Sequence, residues 1–355
     1  MDCFLGQRNG DERPLVIPFR MRSLPLLFLF LATILHAEEP IIRAGMVGLD
    51  TSHATAFTKT LNADDAEGPL AKVKVVAALP QGSPDLAGNA AKVEKYTKEL
   101  REMGVEIVDS MEALLEKCDV LLVESVDGRP HLRQAAPALK AGKRVFVDKP
   151  MGGTLAQAIA LSKYAEKTGT PMFSASSLRF GPGISSHRIE HPKLGKVVGC
   201  DAWSPAPNEP HHPDLFWYGI HGVETLFTIM GPGIESVQRT KAEGVDLVVG
   251  TWKDGRVGTF RGLRGKSKRG YGATVFGTKG TGQAGGFEGY SHLVVKIAAF
   301  FDGGEAPVAM AETLEIHAFM EAADESVRQG GAAVKVSEVM AKAESEATTI
   351  LKSME

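Results

Sequence analysis

From residue 41 onward the chain alternates short apolar runs with stretches of helical periodicity. The runs at 41–49 (IIRAGMVGL), 73–79 (VKVVAAL), 105–108, 119–125 (DVLLVES) and 145–147 (VFV) are bounded by Gly, Pro or charged residues. Near-continuous apolar runs of this kind suit a parallel strand whose sheet is covered by helices on both faces. Helices are predicted between them: from Thr51 through Leu61, over 87–103, over 111–117 behind Ser110 as cap, and over 131–141 despite Pro137. A further helix over 154–168 has Thr154 at its N-cap and Gly169 at its C-terminal cap, and leads to a strand at 171–175. Strand and helix in alternation predict an α/β fold built on a Rossmann-type, doubly wound parallel sheet.

After residue 172 the texture changes. Short β runs with Gly-rich turns follow at 197–203, 234–240, 247–252, 257–261 and 273–276, and helical stretches close the chain around 293–301 and 311–328. Such spacing predicts a largely antiparallel second sheet. Two domains are therefore expected, a dinucleotide-binding-like one over 41–171 and a substrate and oligomerisation one over 172–355. An exposed face on the second sheet makes a homo-oligomer the expectation.

Composition narrows the partners. With 43% hydrophobic and 23% charged residues and a formal net charge of -3, the chain is globular and has no basic signature for nucleic acid. Cys3, Cys118 and Cys200 show neither CxxC spacing nor a disulfide framework. Residues 21–37 (MRSLPLLFLFLATILHA) set Arg22 ahead of an apolar run and Ala37 ahead of Glu38, the pattern of a secretory signal peptide. The run falls short of the roughly 20 residues a membrane span needs, so no stable membrane insertion is expected after cleavage. Residues 1–20 are polar and unlike the start of a signal, so Met21 reads as the true start. The expectation is an exported protein, with a cytoplasmic one carrying an unusual leader as the alternative.

Chemistry concentrates at two strand ends. The run AGKRVFVDKP, Ala141 to Pro150, delivers Asp148 and Lys149 where a strand stops, which in an open α/β sheet is where ligands sit. The first strand-to-helix turn is the place for a GxGxxG phosphate grip, and it reads Gly48-Leu49-Asp50-Thr51-Ser52-His53, with only the first glycine kept. Asp50 suits a helix start, yet about 4 Å from a phosphate it costs about 4 kcal/mol at an effective dielectric near 20. Thr51 and Ser52 offer hydroxyl donors and His53 a charge that offset this in part. An acid after the second strand, expected for ribose hydroxyls, is replaced by Leu79-Pro80. A plain capped helix and an altered cofactor loop both remain open for this turn. His211, His212, Asp214 and His221 follow no ligand spacing in a Pro-rich loop, so no metal site is expected. The basic run at 261–269 reads as a solvated hairpin connection.

AGKRVFVDKP, preceded by a strand ending in Glu124-Ser125 and by His131, resembles the Gfo/Idh/MocA oxidoreductases, as do Leu178-Arg179-Phe180, VFGTKGT at 275–281 and the C-terminal GGEAPV and ETLEIHAFMEAADES. The resemblance spans nearly everything after Ile41. It implies a Rossmann domain binding NAD or NADP and a C-terminal α/β domain with an open-faced sheet. The implied cofactor positions are Gly48, Asp50, Thr51, Ser52, His53, Ser125, His131 and Lys149. It places Lys149 between nicotinamide and substrate and His221 as catalytic acid/base, with Trp217 where the family often has a carboxylate. Arg179, Trp217 and Tyr218 are candidate substrate contacts, suited to a carbohydrate-like small molecule. The leading expectation is an exported NAD(P)-dependent oxidoreductase acting on a sugar or cyclitol hydroxyl. The rival is a non-redox carbohydrate-binding or scaffolding protein that has lost the cofactor.

Overall fold

A computed structural model describes residues 40–265 and 270–354. The segments read above as an upstream stretch (1–20) and a signal peptide (21–37) lie outside the described residues, as do Cys3 and the end of the basic run at 266–269.

The first sheet contains β1 (Ile42–Val47), β2 (Val73–Leu79), β3 (Glu106–Ile107), β4 (Val120–Val123), β5 (Val145–Val147) and β6 (Met172–Ser174). They lie in the order β3-β2-β1-β4-β5-β6, with each neighbouring pair parallel. Every residue of β4, β5 and β6 is buried, as the continuous apolar runs require when helices cover both faces. The covering helices are α1 (His53–Leu61), α2 (Asn89–Glu102), α3 (Met111–Lys117), α4 (His131–Lys140) and α5 (Leu155–Thr168). Helix α5 has the expected caps: the Thr154 side chain accepts from the Gln157 N–H, and Gly169 takes a left-handed φ of 66°. Ser110 caps α3 by accepting from the Ala113 N–H. The chain order reverses between β1 and β4, and the carboxyl ends of these strands with β5 form a single rim.

The predicted limit at residue 171 falls just before β6, which belongs to the first sheet through its pairing with β5. Its Phe173 ring lies 5.0 Å from Phe146 and 4.9 Å from Phe300. Burying such a ring stabilises by about 1.5–3 kcal/mol, enough to hold β6 in place.

The remainder contributes α6 (Pro182–Ser185), β7 (Glu190–His191), β8 (Gly195–Pro205), α7 (Asp214–Trp217) and α8 (Ile220–Met230). Then come β9 (Ile234–Lys241), β10 (Val245–Trp252), β11 (Val257–Leu263), β12 (Gly272–Gly277) and β13 (Gly280–Gly285). The chain closes with α9 (Ser291–Phe301), α10 (Met310–Arg328), β14 (Val334–Lys335) and α11 (Val336–Lys352). The second sheet runs β13-β12-β8-β11-β10-β9-β14 and is antiparallel except where β8 meets β11. Helix α8 is buried along its whole length against β8 and β11, and one apolar cluster joins it to α5 and the first sheet. Cys118 and Cys200 are free and buried, in keeping with packing thiols.

Candidate active site

Lys149 lies two residues past the end of β5, with its side chain almost fully buried and its Nζ 3.2 Å from Asp148 Oδ2. Beside that carboxylate sits the His53 ring, whose Nδ1 is 3.1 Å from Asp148 Oδ2 and 3.6 Å from Glu124 Oε2. Glu124 follows β4 and is 0% exposed. Burial pushes the Glu124 carboxyl up to about 7, with the nearby imidazole opposing it in part. Burial also raises Asp148, yet the charges of His53 and Lys149 outweigh it and hold that carboxyl below the usual range. For Lys149 burial favours the neutral amine, and the Asp148 charge overrides it, so the ammonium is kept.

The β1–α1 turn packs inward. Gly48 has φ 89°, and a Cβ there would lie 2.3 Å from Ser125 N, so both conformation and close approach require glycine. The Asp50 carboxylate, 1% exposed, accepts 2.8 Å from Val126 N and 2.9 Å from Asn89 Nδ2. It therefore does not cap α1, whose N-cap is Ser52 with no side-chain bond. Burial, the leading cause, raises the Asp50 pKa despite these donors. Thr51 Oγ1 accepts from His53 N at 3.4 Å, and the exposed Ser52 Oγ is 3.4 Å from Tyr290 OH. Ser125 and His131 turn to each other: the His131 ring is 2.8 Å from the Ser125 carbonyl, and burial keeps that imidazole below its ordinary pKa.

His221 stands near the start of α8, held through Nδ1 at 3.0 Å from Ser176 Oγ, a bond that does not engage Nε2. Burial first, then the Lys149 charge, push its pKa well below the ordinary value, so it is a neutral base at pH 7. Three tyrosines line this side. Tyr218 and Tyr271 meet the His221 ring edge-on at 5.0 and 5.7 Å, and Tyr290 meets His53 at 4.7 Å. Sequence reasoning missed Tyr271 and Tyr290, which come from distant loops with no motif. It also missed the His53–Glu124–Asp148 grouping, for which the available signal was that each follows a strand of the same sheet.

Other expected residues go elsewhere. Arg179 is committed to Glu224 (Nε to Oε1, 2.5 Å) and Glu312 (Nη1 to Oε1, 2.7 Å), a buried clamp and not an open substrate contact. Trp217 packs 4.7 Å from the His212 ring, and His212 is paired with Asp127 at 2.8 Å. His211 pairs with Glu209, and Asp214 with Arg239, Lys241 and Arg264, so these residues and His221 do not converge. Arg264, read as solvated, is buried against Asp246 because its charge completes that network.

A dinucleotide implied by the resemblance needs main chain that approaches the pyrophosphate and free N–H donors at the helix start. At this turn Asp50 fills the second glycine position and consumes the Val126 N–H, while His53 fills the third with its ring over Asp148. Gln134 Nε2 spans the same crevice, donating to Gln81 Oε1 (3.0 Å) and Ser125 Oγ (2.9 Å). These residues do not fit a pyrophosphate gripped in the GxGxxG manner.

Residues 42–176 match the Gfo/Idh/MocA family, described as an oxidoreductase family with an NAD-binding Rossmann fold. The uncharacterized oxidoreductase YhhX of Escherichia coli is 28% identical over 138 residues, 36% of this chain and 40% of its own. The dehydrogenase aclE of Aspergillus oryzae is 32% identical over 165 residues, 45% of this chain and 43% of its own. The chain thus spans less than half the length of these curated relatives. The apo scyllo-inositol dehydrogenase of Lactobacillus casei superposes with a TM-score of 0.66 at 16% identity, covering 84% of this chain and 99% of that one, a likeness of fold. Across residues 42–176, the stretch that builds the six-stranded sheet and its ligand-facing rim, the chain is similar to the Gfo/Idh/MocA family of oxidoreductases.

Proposed function

We propose that the protein is an exported enzyme acting on a hydroxyl-rich small molecule of the sugar or cyclitol class, with His221 as proton acceptor and Lys149 as the ammonium that holds the reacting oxygen. One observation carries this reading: a neutral imidazole and a retained ammonium, both buried, stand close enough that the second depresses the pKa of the first. A base that stays unprotonated near neutral pH beside a cation that stabilises developing oxyanion charge is what proton abstraction from a hydroxyl requires. The tyrosine rings supply the apolar faces and hydroxyls that suit a polyol. Dehydrogenases and oxidoreductases among the relatives support redox chemistry on that hydroxyl. Export rests on the leader at 21–37.

Asp50 favours a second reading, a polyol-binding protein without turnover. The experiment pairs a thermal-shift screen of polyols and keto-sugars with product analysis by NMR, on the wild type and on Lys149→Met and His221→Ala. Turnover lost in His221→Ala while the ligand still binds supports the enzyme. Binding without turnover in the wild type supports the second reading, and no polyol binding at all overturns both.

A further inference from the structure

The cluster His53, Glu124 and Asp148 is built like a cation site. One ligand-type atom from each lies within 4.8 Å of the others, and all three residues are buried. They come from the first residue of α1 and the residues directly after β4 and β5, so three neighbouring strands of a rigid sheet fix their spacing. Ligands about 2.1 Å from a common ion stand about 3.0 Å apart on an octahedral edge and about 3.4 Å on a tetrahedral one. His53 Nδ1 is 3.1 Å from Asp148 Oδ2, within that range, and 3.6 Å from Glu124 Oε2, slightly beyond it.

The independent sign is what these atoms lack. Glu124 is 0% exposed, and neither of its carboxylate oxygens accepts a hydrogen bond. Asp148 Oδ1 also has no hydrogen-bond partner, and His53 Nδ1 has only the two carboxylates beside it. Buried polar atoms without partners are costly and rare, and a carboxylate with both oxygens orphaned beside a second carboxylate calls for a cation. Lys149 donates to Asp148 Oδ2, the oxygen nearest His53, which keeps a lone pair for an ion, and Oδ1 has no hydrogen-bond partner.

We propose that His53, Glu124 and Asp148 bind one divalent first-row transition metal, with the positions not filled by protein left to solvent or substrate. One imidazole and two carboxylates form a mixed nitrogen and oxygen set that suits Zn²⁺, Mn²⁺ or Fe²⁺ over Ca²⁺ or Mg²⁺. The three residues are far apart in the sequence and show no ligand spacing, so only their shared place after strands of one sheet hinted at the site. The inference stands without the proton-transfer reading, since its readout is metal content.

The test is elemental analysis of the purified full chain, then calorimetric titration of EDTA-treated protein with Zn²⁺ and Mn²⁺. About one equivalent per chain and saturable binding are expected, falling at least tenfold in Glu124→Gln and in His53→Gln. His211→Ala, which removes an exposed histidine, should leave both unchanged. Should the variants fail to fold, Co²⁺ loaded into the wild type gives visible d–d bands if an imidazole and carboxylates coordinate it. A wild type with no metal and no saturable binding overturns the proposal, as does metal retained in folded Glu124→Gln and His53→Gln.

Discussion

Replacing Asp50 separates the structural account of the β1–α1 turn from the cofactor-loop account. Asp50→Ala leaves the part-buried Val126 N–H without its acceptor, and strips one of two acceptors from Asn89 Nδ2, which keeps the Ser83 carbonyl at 2.9 Å. An orphaned buried donor costs about 1–3 kcal/mol and a lost bond about 1 kcal/mol, so about 2–4 kcal/mol of stability should go. Asp50→Asn keeps an acceptor for Val126 but sets its amide against Asn89 Nδ2, and should cost about 1 kcal/mol. The pH dependence has a definite sign. The folded-state pKa of Asp50 is raised, chiefly by burial, so its contribution is fully present below the ordinary carboxylate value and declines as pH rises through the folded one. Urea unfolding of wild type and Asp50→Asn at a series of pH values should show the wild-type advantage shrinking as pH rises above about 4. An advantage that grows over the same interval would mean the fold stabilises the ionised carboxylate, and would refute the inward, desolvated placement.

Further outcomes follow from the other buried charges. If the turn still faces a pyrophosphate, Asp50→Gly removes about 4 kcal/mol of repulsion and should tighten NAD(P)H binding by about a thousandfold in a fluorescence titration; unchanged binding shows that the grip is gone. Asp127, despite burial, is held far below the usual carboxylate range by His212 and Arg129, so its stabilisation is present above about pH 4 and lost as pH falls. Asp127→Asn should therefore flatten the acid-unfolding curve, and an unaltered curve counts against it. Arg179→Met strands the buried Glu224, while Glu312 keeps Arg188 at 2.8 Å, and should cost about 3–5 kcal/mol in denaturant midpoint analysis, with Arg179→Lys a poor rescue because one point charge cannot span both carboxylates. In substrate turnover the acid limb of kcat/KM should lie below the ordinary imidazole pKa, since His221 is depressed; a limb at about 6.5 or higher contradicts its role as base.

The first sheet was legible because its strands are buried on both faces, so Val120–Val123 and Val145–Val147 read as unbroken apolar runs. Helix α8 escaped notice for the same physical reason turned around: buried on every side, it shows no polar face to mark a helical period. Helix α11 hid differently, because small residues such as Ala343 and Ala347 make its contact with α5 among many charges. Lys149 and His221 were reachable through local motifs. Arg179 shared a motif but not a role, since only the fold reveals Glu312 waiting beside it. His53, Glu124 and Asp148 meet because β1, β4 and β5 are neighbours, an order that strand alternation alone does not specify.

The central claim is that Lys149 and His221 form one proton-transfer site, and the most direct measurement is the titration of His221 by imidazole NMR in wild type and Lys149→Met. Removing the ammonium should raise the His221 midpoint toward the ordinary imidazole value, because the Lys149 charge is, after burial, the main force holding it down. A midpoint that stays where it was would contradict the account.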